Sequence, residues 1–133
     1  MAFNHLNRAN ASVDAVVIGA GIAGLYLVQR LKEMGSTFKV FEAGKDLGGT
    51  WFWNRYPGAR FDSESYSYGY SWSQELLDEW EWSEHFAGQP ETLKYLNYVA
   101  DKFELRENII FNSRVASCHY FEAENRWTIK TNN

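Results

Sequence analysis

The sequence predicts an α/β fold whose parallel sheet is wound through a βαβ unit, and three observations carry that prediction. A β-branched run, DAVVIG from Asp14 to Gly19, reads as a strand; a segment with helical apolar spacing follows at once; and a second apolar run, TFKVFEAG, closes the unit. At 133 residues the chain has the length of one ordinary domain or a piece of one. That length suffices to bury roughly two-thirds of the surface an unfolded chain exposes.

Each element follows in order. Residues 1–13 are polar and without period, and read as a flexible arm. The DAVVIG run is short and continuous, as expected of a strand buried on both faces of a parallel sheet. In IAGLYLVQRLKEMG, Leu25, Val28 and Leu31, with Tyr26 beside them, recur at helical spacing, and Gly35 can cap the end. TFKVFEAG is the second strand, with Glu42 at its carboxyl tip. SWSQELLDEWEW predicts a short helix with Ser71 and Gln74 at capping-box spacing and Leu76, Leu77 and Trp80 on one face. QPETLKYLNYVADKFEL predicts another, with Pro90 in its first turn and Leu93, Leu96, Val99 or Ala100, and Phe103 along one side. The remainder reads as strands, Ile109 to Phe111 first, with a hairpin turn at Glu122 to Asn125 before Arg126 to Lys130.

Composition narrows the partners. A net charge of -4 gives no footing for a nucleic-acid backbone, so no nucleic-acid partner is expected. The longest apolar run, Ala15 to Val28, is interrupted by glycines and too short to span a bilayer, so neither a membrane partner nor a signal peptide is read. The single cysteine, Cys118, points to a reducing compartment and a cytoplasmic location, and reads as a half-buried strand thiol. His5, His85 and His119 are scattered, without a helical pairing or a carboxylate companion, and no metal site is expected. The sequence leaves the oligomeric state open.

Gly19-Ala20-Gly21-Ile22-Ala23-Gly24 matches G-x-G-x-x-G, a weak signal alone. Here it follows a predicted strand, opens a predicted helix and has an acid, Glu42, eighteen residues beyond Gly24 at the next strand's tip. The first glycine turns the chain, the second lets backbone approach a pyrophosphate, the third lets helix and strand pack, and the helix N-terminus offers free N–H groups to phosphate. Together these predict a Rossmann-like dinucleotide site. Glu42 can accept hydrogen bonds from the ribose hydroxyls of an adenosine. A 2′-phosphate there would meet a like charge, costing about 4 kcal/mol at 4 Å and an effective dielectric near 20, which leaves FAD or NAD for this site.

The stretch GGTWFWNRYPGARFDSES, residues 48–65, sets Trp51, Phe52 and Trp53 beside Asn54, Arg55, Arg60 and Asp62. Broad rings with polar edges suit the covering of a flat heterocycle, and an aromatic cluster that merely packs is the competing reading. Asp62, if buried, would need a guanidinium such as Arg55, Arg60 or one from outside the chain.

That stretch closely resembles the segment after the second strand in Baeyer–Villiger monooxygenases, the class B flavoprotein monooxygenases. SQELLDEWEWSEHFAGQPETLKYLNYVADKFELRENIIFNSRV is similar to the phenylacetone, steroid and large-ring ketone members, so the likeness covers about Asp14 to Thr131. The resemblance implies the first part of an FAD-binding domain over residues 14–133, with a Rossmann-like sheet, a helical insertion and a β-hairpin. It implies that Gly19, Gly21, Ala23 and Gly24 hold the FAD pyrophosphate, Glu42 the adenosine ribose, and Gly49, Thr50, Trp51 and Trp53 the ribityl and flavin parts, with Phe52, Phe61, Tyr68 and Val115 as further contacts. Arg60 and Asp62 match the place where NADPH meets flavin. Asp62 is the residue expected to serve catalysis, paired in the family with an arginine from a later segment. Two positions depart from the pattern: Phe61 stands where many relatives have cysteine, and Phe52 where tyrosine is frequent.

The activity implied is an NADPH- and O2-dependent conversion of a small-molecule ketone to an ester or lactone through a C4a-peroxyflavin. The alternatives are an N-oxidising class B enzyme and a non-catalytic FAD/NAD-binding module. The sequence holds one G-x-G-x-x-G, whereas the family uses a second for NADPH, and it lacks the F-x-G-x-x-x-H-x-x-x-W signature and the later arginine. The 133 residues are therefore expected to be an incomplete domain, inactive alone.

Overall fold

The computed structural model of the chain describes residues 11–133. Most of the predicted arm, and His5 with it, lies outside the described residues; residues 11–13 lead without regular structure into the first strand. There Asp14 accepts hydrogen bonds from the Thr37 amide (2.8 Å) and hydroxyl (2.7 Å), clasping the starts of the first two strands.

The predicted βαβ unit is present as β1 (Ala15–Ile18), α1 (Ile22–Glu33) and β2 (Phe38–Phe41). β1 and β2 are parallel, with Ala15 opposite Phe38 and Ile18 opposite Phe41. α1 buries Leu25 and Val28 in the core, while Tyr26 and Leu27 face outward. The expectation that β1 is buried on both faces is corrected. Within β1 only Val17 is buried, Ala15 and Val16 are half-buried, and Ile18 is 60% exposed because the strand's carboxyl end opens onto a cleft.

A loop from Glu42 leads to α2 (Thr50–Trp53), then α3 (Ser65–Tyr68), α4 (Gln74–Glu79) and α5 (Gln89–Lys102). The predicted capping box is displaced. Ser73, not Ser71, caps α4, its hydroxyl accepting from the Leu76 amide, and Leu76 is buried while Leu77 is exposed. A helix of six residues can bury only one narrow stripe, so Leu76 and Leu77 cannot both face inward. α5 has Pro90 in its first turn, as predicted, and buries Tyr95, Leu96, Val99 and Ala100.

The high aromatic content forms a second core between these helices. Tyr95 is buried, its hydroxyl accepts from the Tyr70 amide at 2.7 Å, and the rings of Trp82 and Trp80 lie 4.9 and 5.1 Å from its own. Burial pushes the Tyr95 phenol up to about 12. β3 (Ile109–Ile110) returns to the sheet parallel to β2, giving the order β1-β2-β3.

The chain then forms an antiparallel hairpin, β4 (Val115–Phe121) and β5 (Arg126–Thr131), joined through a 3-10 turn at Glu122–Glu124 with Asn125 in the left-handed region. Both faces are largely open: Tyr120, Phe121 and Trp127 are exposed, and so is Cys118, which was expected half-buried. Within the described chain no layer packs on the hairpin, so alternation alone cannot bury the thiol. Among the described residues no helix is long and apolar enough to cross a membrane.

Candidate functional site: a dinucleotide cleft at the carboxyl end of the sheet

The glycine motif forms the turn from β1 into α1, and its shape comes from contacts that exclude side chains. A Cβ on Gly24 would lie 2.0 Å from the Gly19 carbonyl oxygen, and one on Gly49 would lie 2.8 Å from the Gly21 Cα. Helix start and strand end, and then the two glycine segments, therefore meet backbone against backbone. Gly49 also has φ +53, a conformation that disfavours a side chain.

No side chain caps α1 and no acid occupies its first turn. Its first helical hydrogen bond runs from the Leu25 amide to the Gly21 carbonyl at 3.0 Å, which leaves the amides of Ile22, Ala23 and Gly24 without a helical acceptor. Those residues line a cleft of about 300 Å³ together with Ile18, Gly19, Gly21, Gly48, Gly49, Thr50, Trp51 and Tyr68. An apolar strand end, free amide donors and two aromatic rings thus share one concavity.

Trp51 forms the far wall. Its indole N–H donates to the Tyr68 hydroxyl at 2.9 Å, and its ring meets Phe61 edge-on at 5.8 Å. Phe61 lies flat against Tyr68, centroids 4.1 Å apart, so the wall is braced from behind. The Trp51 carbonyl accepts from the Gln89 side chain, tying α2 to α5.

Glu42 is buried beneath the loop, 4% exposed. One carboxylate oxygen accepts from the Ala20 amide at 2.7 Å and the other from the Gly44 amide at 2.6 Å. The Ala20 carbonyl in turn accepts from the Gly48 amide at 2.9 Å. On the outer side, Arg106 donates to Asp46 (2.8 Å) and Asp101 (2.7 Å). Partial burial alone would raise the Asp46 carboxyl, but the Arg106 hydrogen bond and charge, the Leu47 amide and nearby Arg55 outweigh it and hold the group below its ordinary range.

Of the residues singled out from the sequence, the fold brings Gly19, Gly21, Ala23, Gly24, Gly49, Thr50, Trp51 and Tyr68 to the cleft. Others stand back from it. Phe61 is buried behind Trp51 and Tyr68, Phe52 is buried against Trp53 and Arg55, Trp53 is 59% exposed, and Val115 begins the hairpin. Arg60 donates to Glu84 (2.9 Å) and the Phe86 carbonyl (2.8 Å). Arg55 donates to the Phe52 carbonyl and lies over the Phe52 ring. Neither arginine pairs with Asp62, which is exposed and makes no ion pair among the described residues. His85 does have a carboxylate neighbour, Glu64 at 3.2 Å, contrary to expectation. Ile18 and Ile22 line the cleft without having been singled out as contacts, and Gly48 lines it beside Gly49.

Residues 17–80 match the model of the NAD(P)-binding Rossmann-like domain family. A Baeyer-Villiger monooxygenase from Pseudooceanicola batsensis is 47% identical over 122 residues, covering 91% of this chain and 22% of its own length. The methyl acetate-forming acetone monooxygenase of Gordonia sp. is 46% identical over 92% of the chain and 23% of its own length. Over this span the chain is similar to a Baeyer–Villiger monooxygenase and to an acetone monooxygenase. The solved structures agree. An oxidized steroid monooxygenase bound to NADP superposes with a TM-score of 0.90 at 54% identity, over 92% of this chain and 23% of that one. The OTEMO complex with FAD and NADP gives 0.87 at 46% identity, over 94% and 24%. The chain spans about a quarter of the length of these Baeyer–Villiger-type relatives.

Proposed function

We propose that this chain forms the first part of the FAD site of an NADPH- and O2-dependent Baeyer–Villiger monooxygenase acting on small ketones in the cytoplasm. The observation that carries the reading is the uncapped α1 N-terminus facing a cleft walled by Trp51 and Tyr68. The donor set fits the group: free helix amides suit a pyrophosphate, and the Gly21–Gly49 approach leaves backbone where a dinucleotide needs it. Bound FAD would supply the redox and oxygen chemistry.

The residues of the chain have simpler tasks. Ile22, Ala23 and Gly24 would donate amide hydrogen bonds to phosphate, Gly49 and Thr50 would pass the ribityl chain, and the Trp51 ring would cover one side and exclude water. Glu42 retains a second lone-pair direction on each oxygen for ribose hydroxyls. Asp62, exposed and without an ion pair among the described residues, would orient an arginine supplied from elsewhere in a longer protein, a positioning role beside Arg60.

Titration of the purified chain with FAD, NAD and NADP tests this. Quenching of flavin and tryptophan fluorescence by FAD, weakened at least tenfold by Trp51→Ala, is expected; binding of NADP in place of FAD would overturn the assignment.

A further inference from the structure

We infer that Glu42 is a positioning residue that sets the shape of the glycine loop, an inference that rests on the dinucleotide reading above. The side chain is almost fully buried, and both carboxylate oxygens already hold backbone amides: Ala20 inside the glycine motif and Gly44 in the segment leading to Gly48-Gly49. Ala20 is therefore gripped twice, its N–H by Glu42 and its carbonyl by the Gly48 amide at 2.9 Å. The Glu42 carbonyl accepts from the Ser113 amide (2.8 Å) and the Gly44 carbonyl from the Asn112 amide (2.9 Å), which fixes the clamp to the segment after β3.

The two glycine segments meet backbone against backbone along the cleft, and this carboxylate, with the Gly48–Ala20 hydrogen bond, holds them in that register. An acid at the tip of β2 is thus used on the loop itself. A buried carboxylate is costly unless paired or hydrogen-bonded, and two charge-assisted bonds from backbone N–H groups meet that requirement. Glutamine cannot replace it. One of its two polar ends is an N–H2 donor, which would face an amide donor and release either Ala20 or Gly44.

Loop shaping and ribose binding predict different behaviour toward an anion that has no ribose. Removing a negative charge beside the helix N-terminus would by itself tighten inorganic pyrophosphate. Loss of the loop geometry would weaken it. The test is NMR titration of the chain and its Glu42→Gln variant, both carrying Trp127→Lys to limit self-association, with inorganic pyrophosphate and with ADP, at a temperature where both are folded. At least tenfold weakening of both probes is expected. Weakening of ADP alone, with pyrophosphate unchanged or tighter, would overturn the inference.

Ligand-free measurements keep the clamp testable apart from the dinucleotide reading. In the wild-type chain a through-hydrogen-bond scalar coupling should link the Ala20 nitrogen to the Glu42 carboxylate carbon, and amide exchange at Ala20 or Gly44 should speed at least tenfold in Glu42→Gln while Val17 and Val40 hold. If the coupling is absent, or the exchange unchanged, the clamp is refuted even where FAD binds. If the coupling is present but neither FAD, ADP nor pyrophosphate binds, the dinucleotide reading fails and the positioning role fails with it.

Discussion

Gly24 has no room for even one methyl group, since its Cβ would lie 2.0 Å from the Gly19 carbonyl oxygen. Gly24→Ala must therefore push α1 away from the end of β1. A loss of about 1–3 kcal/mol is expected from overpacking, read as a lower urea midpoint. Phe61 gives the opposite experiment. It fills the space behind Tyr68 and Trp51, so Phe61→Cys would leave a cavity there and cost about 2–4 kcal/mol. Thermal unfolding reads the loss directly, and an unchanged midpoint would show that the wall repacks without Phe61. The role of Glu42 also belongs to this scale, because two hydrogen bonds from one side chain join segments that are 22 and 2 residues away.

At the scale of elements, the loop between β2 and α2 is held on its outer side by a different device, the Asp46–Arg106 pair, which ties it to the end of α5 through Asp101. The folded Asp46 carboxyl has a depressed pKa, so its contribution is present above the ordinary aspartate range and is lost as pH falls through the lower folded value. The pair is partly exposed, which limits that contribution to about 0.2–1 kcal/mol. Chemical denaturation below about pH 4 should therefore show stability falling with pH, and Asp46→Asn should flatten part of that slope. An identical slope in the variant would remove Asp46 from the account.

Over the whole molecule, the described chain covers only part of its apolar surface. Ile18, Leu27, Met34, Tyr120, Phe121 and Trp127 are exposed, and the β4–β5 hairpin presents both faces to solvent. An open two-stranded ribbon with exposed aromatic residues favours association with other surfaces. The isolated chain is expected to bind a hydrophobic dye and to self-associate at micromolar concentration by light scattering, and Trp127→Lys to reduce both. A monodisperse, dye-silent monomer would count against this reading. With about a quarter of its relatives' length present, the chain alone should turn over no ketone with NADPH, and measurable ester formation would contradict that expectation.

The βαβ unit was legible in the residues because its signals are local: two short apolar runs, helical spacing between them and a glycine turn. The cleft was partly legible for the same reason, since Gly19 marks a positive-φ turn and Gly21 and Gly24 mark close backbone approach. The sequence could not divide the aromatic stretch. Trp51 and Trp53 look equivalent in it, yet one is 6% and the other 59% exposed, because a single turn of helix sends neighbouring side chains in different directions. By itself, then, the sequence determined the α/β class, the glycine turn and the acid at the tip of β2. Only the tertiary structure decided that this acid grips Ala20 and Gly44, that Arg106 holds the loop through Asp46, and that Asp62 makes no ion pair among the described residues. These depend on hydrogen bonds between residues distant along the chain, whose partners no local pattern specifies.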